Sequence, residues 1–535
     1  MRKQISILLA GGLALSLAAC GKDGEQQAEA QPSASAKEVA NFNKTGFPIV
    51  NDKITLKMMG PKSAIQPTWD KMDVFVKLEE MTGISFSFDT PLSSNYTEKK
   101  SIMFASNELP DVFFGRGSIT ADDEAIYGAQ GLLIPLEGLI DQYAPNLKKL
   151  FQDNPEIKKS ITSLDNHIYS LPSGTDLAMN LTTKIWINQE WLSNLGLKMP
   201  QTTDELHAVL KAFKEQDPNR NGKADEIPLS FSKDSLDGGL RNALLTSFGY
   251  TTYKVEAKDD KVVYVPAQTE YKEYLAFMKK LFSEKLVDEE SFSQSAQQLT
   301  AKGNEGRVGM FFSAGPFLVV KSEDNDKYAA LPPLTSSVNS KKVWPKSSEV
   351  ASTAFAISKN NKFPEATIRW VDYLYSEEGT IMMHNGIENK HWKWSDSSKT
   401  QWERVAPPEG KNAEEFRASG TPNAGTGTPE IWPGSYAEKQ KDPLNAFIRK
   451  EVKSAYEPYW KESFPNIRFS PEDTKKINTV SADLKNYITQ MEAKFILGQE
   501  PLDNWDTYLN NMKKMGMEDM TKIYEDGYKR WKELK

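Results

Sequence analysis

A single cysteine and four histidines in 535 residues leave no intramolecular disulfide to close and no Cys/His cluster for zinc. Cations are not in excess either. The 66 Lys+Arg stand against 73 Asp+Glu, a formal charge of −7, so there is no surplus of positive charge to displace counterions from a nucleic-acid backbone. Nucleic acid is therefore excluded as an expected partner. Apolar residues make up 39% of the chain, and the only long uncharged apolar run lies within the first twenty positions, which excludes a polytopic membrane protein. No repeat of fixed period is present, which argues against a solenoid or a propeller.

What the chain does have begins at that apolar run. Arg2 and Lys3 precede an uncharged stretch from Ile5 to Ala19, which closes as Leu17-Ala18-Ala19-Cys20. A basic start, a short apolar core and small residues before a cut are the parts of a secretory signal, and the stretch is short for a spanning helix. The one cysteine of the chain falls at the place where lipoprotein signals are cleaved, so Cys20 is the expected lipidation site and residues 1–19 the signal peptide. Cleavage there removes two cations and leaves a formal charge of −9. Residues 20–40 are rich in Gln, Ala, Ser and Glu and contain no aromatic residue, which predicts a flexible tether with a reach of roughly 25 Å.

Beyond the tether, strand and helix patterns alternate. Ile54–Met59 reads as a strand, Trp69–Met81 as an amphipathic helix, and Ile84–Phe88 as a strand of strict alternation, together a βαβ unit. Lys184–Ile187 and Val308–Phe312 read as further strands, as does Ala354–Ile357 before a helix at Pro364–Tyr375. Thr203 is the expected cap of a helix over Asp204–Glu215. From Pro471 onward the chain is nearly all helix-forming.

Asp217-Pro-Asn219-Arg-Asn221-Gly222-Lys223-Ala-Asp225-Glu226 has oxygen-bearing side chains at the first, third and fifth positions, with glycine at the sixth. That is the first half of an EF-hand calcium loop. Calcium takes six to eight hard oxygens, and glycine accepts the backbone angle of the tight turn. The twelfth position is Pro228, so the bidentate carboxylate must come earlier, from Glu226 with Asp225 beside it. The expected ligands are Asp217, Asn219, Asn221, the Lys223 carbonyl, Asp225 and Glu226, with calcium in a structural role. A solvated Asp/Asn/Gly turn without metal is the alternative.

These features resemble, taken together, the extracellular solute-binding lipoproteins of bacterial carbohydrate ABC importers. They are the Leu-Ala-Ala-Cys20 site, the tether, Leu109-Pro110-Asp111-Val112, the run from Ile187 through Pro200 to Leu206, the loop Asp217–Pro228 and Gly386-Ile387-Glu388. The similarity is greatest to the group that includes the alginate-oligosaccharide-binding proteins. The resemblance implies a fold of the type II periplasmic-binding class, two α/β lobes on a hinge with a mainly helical C-terminal region. It also implies a monomer at the outer face of a Gram-positive-type cell membrane, touching the membrane only through its lipid and delivering an oligosaccharide to permease subunits. The implied lobes are 41–178 and 350–400 for the first, and 179–349 (with the loop 217–228) and 401–535 for the second. Crossings are expected near 175–185, 350 and 400.

Sugar rings present C–H faces to aromatic planes and hydroxyls to polar groups. Trp69 follows a loop at the end of the first strand, and Phe114 and Arg116 form a turn at the end of another. Trp344, Trp392, Trp394 and Trp432 lie in polar stretches, and Trp186 sits on the strand Lys184–Ile187. These eight are the expected ligand contacts. Lys62, Lys346 and Lys393 join Arg116 as cations that could meet an acidic sugar. No catalytic signature of the G-x-S-x-G, H-E-x-x-H or phosphate-loop kind is present, so an enzyme is not expected. A peptide receptor of the same fold is the alternative, and a lipid-anchored glycoside hydrolase with two facing carboxylates is a weaker one.

Overall fold

The computed structural model describes residues 41–175, 183–233, 239–346, 351–410 and 413–534. The signal, Cys20 and the tether lie outside these, as do most of the crossing near 175–185 and the crossing at 347–350. Phe42–Lys535 form one unit.

The first sheet begins with β1 (Ile54–Met59), which buries Ile54, Leu56, Met58 and Met59 and exposes Thr55 and Lys57. The helix Asp73–Thr82 follows and ends at Gly83, whose φ of 76° is the left-handed turn that lets β2 (Ile84–Asp89) start at once. β2 runs parallel to β1 with Ile54 opposite Ile84, which is the expected βαβ unit. The helix does not begin at Trp69. A single 3-10 turn, Trp69–Lys71, is broken by the extended Met72 before the α-helix proper. β3 (Val112–Phe114) joins the other edge of β1, and β4 (Ser170–Thr175) follows a helical turn over 121–128 and three short helices.

The chain then builds a second sheet from β5 (Lys184–Asn188) and β6 (Ile227–Leu229), with a small hairpin of β7 (Val255–Lys258) and β8 (Lys261–Tyr264) on the way to β9 (Val308–Ser313) and β10 (Tyr328–Ala330). Its order is β10-β5-β9-β6. The helix Thr203–Glu215 packs beside it, burying Leu206, Val209, Leu210 and Phe213, and its cap is Thr202, one residue before the expected Thr203. After β11 (Trp344–Lys346) the chain returns to the first sheet as β12 (Ala351–Ile357), which inserts antiparallel between β3 and β4. A hairpin, β13 (Trp392–Trp394) and β14 (Trp402–Arg404), leads to β15 (Ile431–Trp432), parallel to β4 at the sheet edge. β16 (Trp460–Glu462) pairs with β11.

Each sheet has its own core. Trp69, Phe75, Phe114, Phe355 and Trp370 lie in the first. The second contains Trp186, Phe213, Met310 and Tyr328, and the C-terminal helices close it with Leu484, Ile488, Phe495, Tyr508 and Met512. The last crossing falls later than residue 401. Trp402 and Trp432 share one aromatic cluster with Trp392 and Tyr436, and β15 belongs to the first sheet, whereas Ile448 and Val452 of the helix Pro443–Ala455 are already in the second core. Away from these crossings a strap reaches back to the first lobe. Arg468 donates to the Ser160 carbonyl at 3.0 Å and pairs with the buried Glu124 at 3.1 Å. Gly527 lies close under this strap, since a β-carbon there would come 2.6 Å from Phe469.

Candidate ligand cleft and metal loop

β1, β2, β3, β4 and β15 all run the same way, so their carboxyl ends share one edge of the first sheet. β6, β9 and β10 likewise end together, beside the start of β5. β4 stops at Thr175 and β5 starts at Lys184, so a short connection joins the two carboxyl-end edges, and a crevice between such edges is where open α/β sheets bind ligands.

On the first lobe this edge is tied together by a buried glutamine. Gln66 donates to the carbonyls of Pro422 at 2.7 Å and Ala424 at 2.6 Å, and its own oxygen accepts the Ser63 amide at 3.0 Å and the Trp69 indole N–H at 3.2 Å. The loop after β1 is thus fixed to the loop 422–427 across the sheet. Arg116 extends from the turn after β3. Its amide donates to the Gly427 carbonyl at 3.2 Å, and its guanidinium reaches the Ser173 hydroxyl at 3.2 Å while the side chain stays exposed. Gly427, at φ 76°, admits this approach, because a β-carbon there would sit 3.2 Å from that of Arg116. Trp432 ends β15 at the same edge, stacked on His384 at 3.8 Å, and its carbonyl accepts the Thr175 hydroxyl at 3.0 Å. Glu430 holds His384 Nδ1 at 2.7 Å, and burial lowers the imidazole's pKa, so the ring pair is a neutral, fixed plate.

The structure buries six of the eight expected contacts, Trp69, Phe114, Trp186, Trp344, Trp392 and Trp432, and leaves Arg116 exposed and Trp394 partly so. Trp69 and Phe114 are fully buried and touch each other edge to face at 5.7 Å. Gly60 is the vacancy that admits the Trp69 ring, since a β-carbon there would lie 2.5 Å from it. Trp186 is fully buried, stacks on Phe447 and donates its indole N–H to the Ser313 carbonyl at 3.1 Å. Trp344 stacks on Tyr456 at 3.8 Å in the second core. A polar stretch or a place at a strand end says that the backbone nears water, and here the aromatic side chains turn inward all the same. Trp392 is 4% exposed and Trp394 partly exposed, and both border a separate cavity in the first lobe. Gln66, Ser173 and His384 were not expected at the edge. The loop after the first strand and the turn at Phe114–Arg116 were expected there, but not these side chains.

The loop Asp217–Glu226 folds as a series of side-chain-to-backbone turns. Asp217 accepts the amides of Asn221 at 3.0 Å and Gly222 at 2.9 Å, Asn219 also accepts Asn221 N–H at 3.0 Å, and Asn221 accepts Lys223 N–H at 2.7 Å. Asn194 and Arg307 fasten its two ends through the carbonyls of Pro218 and Asp225. Among the described residues no three His, Cys, Asp or Glu side chains gather closely enough to hold a metal by themselves, so amide and carbonyl oxygens would have to contribute. The oxygens nevertheless fit a hard cation. Glu226 Oε1 is buried without a hydrogen-bond partner, and burial together with the Asp217 and Asp225 carboxylates raises the Glu226 pKa.

Two α/β lobes with separate cores, joined by repeated crossings at the carboxyl-end edges of their sheets, are the architecture of a bilobed solute receptor. The chain belongs to the bacterial extracellular solute-binding protein family, whose sequence profile matches residues 60–381. It is 30% identical to the fructooligosaccharide ABC transporter substrate-binding protein FusA of Streptococcus pneumoniae, over 98% of this chain and 97% of that one. The structure of FusA with kestose superposes with a TM-score of 0.69, covering 90% of this chain and 100% of that chain, and an EF-hand mutant of FusA with fructo-nystose gives 0.68. The lipoprotein LipO of Bacillus subtilis is 25% identical over 88% of this chain and 93% of its own. The alginate-binding protein AlgQ2, solved without calcium ion, shares the fold at 23% identity and a TM-score of 0.64, over 92% of this chain and 99% of that one.

Proposed function

We propose that this protein is the oligosaccharide-capturing subunit of an ABC importer, held on the outer face of the cell membrane through a lipid on Cys20 and acting as a monomer that hands its sugar to the permease subunits. The observation that carries the reading is full-length similarity to FusA, whose structure holds kestose. The cleft edge suits a sugar. The exposed Arg116 guanidinium is pre-oriented by Ser173, Ser63 and Gln66 keep the loop after β1 in place, and buried Trp432, stacked on His384, holds the end of β15 behind them. A ligand bridging both lobes favours the closed form by the difference in its affinity for the two forms, with no bond made or broken.

Calcium, when bound, would supply a hard positive charge that neutralises the crowded carboxylates of the loop. Asp217, Asn219, Asn221, the Lys223 carbonyl, Asp225 and Glu226 would hold it. The loop lies at the end of β5 and β6 remote from the crevice, a position that fits stapling the second lobe and does not fit touching a ligand.

Calorimetry with kestose, other neutral oligosaccharides, alginate oligosaccharides and a peptide panel tests the reading. At least one oligosaccharide is expected to bind, and Arg116→Ala to weaken it about tenfold or more, with no product formed. Binding of peptides alone, or turnover of a glycan, would overturn it.

A further inference from the structure

The hairpin β13–β14 and the helices Asp73–Thr82 and Glu377–Asn385 surround a cavity of about 540 Å³ in the first lobe. Its lining residues Lys77 and Met81 lie on the last turns of the helix that leads back to the start of β2, opposite the edge where the strands end. None of Ser63, Gln66, Arg116 or Trp432 borders it.

Its floor is apolar, formed by Met81, Ile381, Ile387 and the two tryptophans of β13. Trp392 and Trp394 meet at 77° with centroids 5.6 Å apart, and Trp394 also abuts Tyr436 at 81° and 5.5 Å. Trp392 is fixed by its indole N–H bond to the Gly386 carbonyl at 3.0 Å. Trp394 remains partly exposed, with Lys399 Nζ 5.8 Å from its ring centre. Two further observations point to a polar ligand. Tyr373 lines the cavity, is only 8% exposed, and its hydroxyl, beside the Glu378 carboxylate, makes no close hydrogen bond. Glu377, Glu378 and Glu388 stand at the rim, and none forms an ion pair with a described cation. A buried hydroxyl without a partner is costly, and it is satisfied once a ligand brings one.

The chemistry narrows the class. An anion would meet three carboxylates. A hydrocarbon would leave Tyr373 unpaired, and an organic cation would have to displace Lys399 from Trp394. A polyol with C–H faces uses all of the groups, laying a ring on the indole while its hydroxyls donate to the carboxylates and accept from Tyr373 and the lysines. The volume lies within the roughly 300–1,000 Å³ of small-ligand sites. We propose that this cavity is a second saccharide site, taking a neutral di- or trisaccharide independently of the crevice.

Calorimetry and saturation-transfer NMR with kestose, maltotriose and xylotriose, on the full chain, read the two sites apart. A tight phase should be lost in Arg116→Glu and retained in Trp394→Ala and Tyr373→Phe. A weak phase should persist in Arg116→Glu and fall at least fivefold in Trp394→Ala, Tyr373→Phe and Glu388→Gln. Tyr373→Phe deletes only a hydroxyl that makes no close hydrogen bond, so its melting temperature should stay within about a degree or two of the wild type, and loss of the weak phase at an unchanged melting temperature is not misfolding. If the crevice reading fails, the tight phase is missing while the weak one remains. Absence of a weak phase at 10 mM of every probe, a weak phase unchanged in the cavity variants, or binding of choline in place of the sugars would overturn this proposal.

Discussion

Removing Glu492 should cost the second lobe far more than a typical substitution. Arg241, fully buried on the helix Arg241–Leu245, places Nε at 2.7 Å and Nη2 at 2.6 Å from one Glu492 oxygen. Glu492 projects from the C-terminal helix Pro471–Ile496 and also receives the hydroxyls of Tyr271 at 3.3 Å and Tyr274 at 3.2 Å. With Glu492→Leu the buried guanidinium loses the Glu492 carboxylate, and the two hydroxyls lose their acceptor. The face of Tyr253, 4.5 Å away, cannot replace it. Breaking a buried pair from one side costs about 3–5 kcal/mol, whereas exchanging both partners for apolar residues is near neutral or stabilising. Arg241→Met/Glu492→Leu should therefore recover most of the loss, a coupling of about 2 kcal/mol or more in a double-mutant cycle. A two-lobed chain need not unfold in one step, so the measurement should be local. Amide exchange read on peptides spanning Ile477–Glu492 should accelerate by roughly two to four orders of magnitude in the single variant, at about 1.4 kcal/mol per tenfold. If Glu492→Leu exchanges no faster than the double variant, the pair is not a coupled buried unit and the reasoning fails.

A pH effect should arise at Asp372, which accepts the amides of Leu147 at 2.8 Å and Asn146 at 3.3 Å at the start of the helix Pro145–Asp153 and whose pKa burial pushes up to about 6. The folded state keeps a proton that the unfolded state, near pKa 3.9, has released. This group's stabilising contribution is thus full below pH 4 and is lost as pH rises through 6, by roughly 3 kcal/mol. Asp372→Asn should flatten that part of the urea-midpoint profile between pH 4 and 6.5, and an unchanged slope would count against it. Chelation should lower the melting temperature. Calcium at 100 times its Kd contributes about 2.7 kcal/mol, or roughly 5–10 °C for a lobe of this size. Asp217→Ala with Asn219→Ala should abolish that response, and Glu226→Gln, which removes a crowded carboxylate charge, should equal or exceed the wild type in chelator. A chelator-insensitive wild type would favour a solvated turn.

The alternation of strands and helices was legible wherever one face of an element is buried. β1, the βαβ unit and the stripe Leu206, Val209, Leu210 and Phe213 follow from side-chain periodicity alone. β4, with the sequence Ser-Leu-Pro-Ser-Gly-Thr, and the two-residue β15 carry no such pattern. They are strands because β12 and each other supply the ladder. The tryptophans were the hardest to read. Polarity of the flanking residues says whether a loop meets water but not which way its largest side chain turns, and Trp69 turns inward because Gly60 and Gln66, several residues away in sequence, make the space and accept its N–H. The loop Asp217–Glu226 could be read because all of its hydrogen-bonding side chains lie within ten residues.

The insertion of β12 between β3 and β4 sets a timetable for synthesis. The first sheet cannot close until Ile357 exists, long after β4 ends at Thr175. At about 5–20 residues per second the ribosome needs roughly 9–36 s to cover that interval. Throughout it the apolar Val112–Phe114 has no partner on its β12 side and the start of the chain cannot reach its final form. A polypeptide with this strand order keeps its first sheet open while it is being made, and an unfinished sheet is easier to thread through a membrane than a closed one.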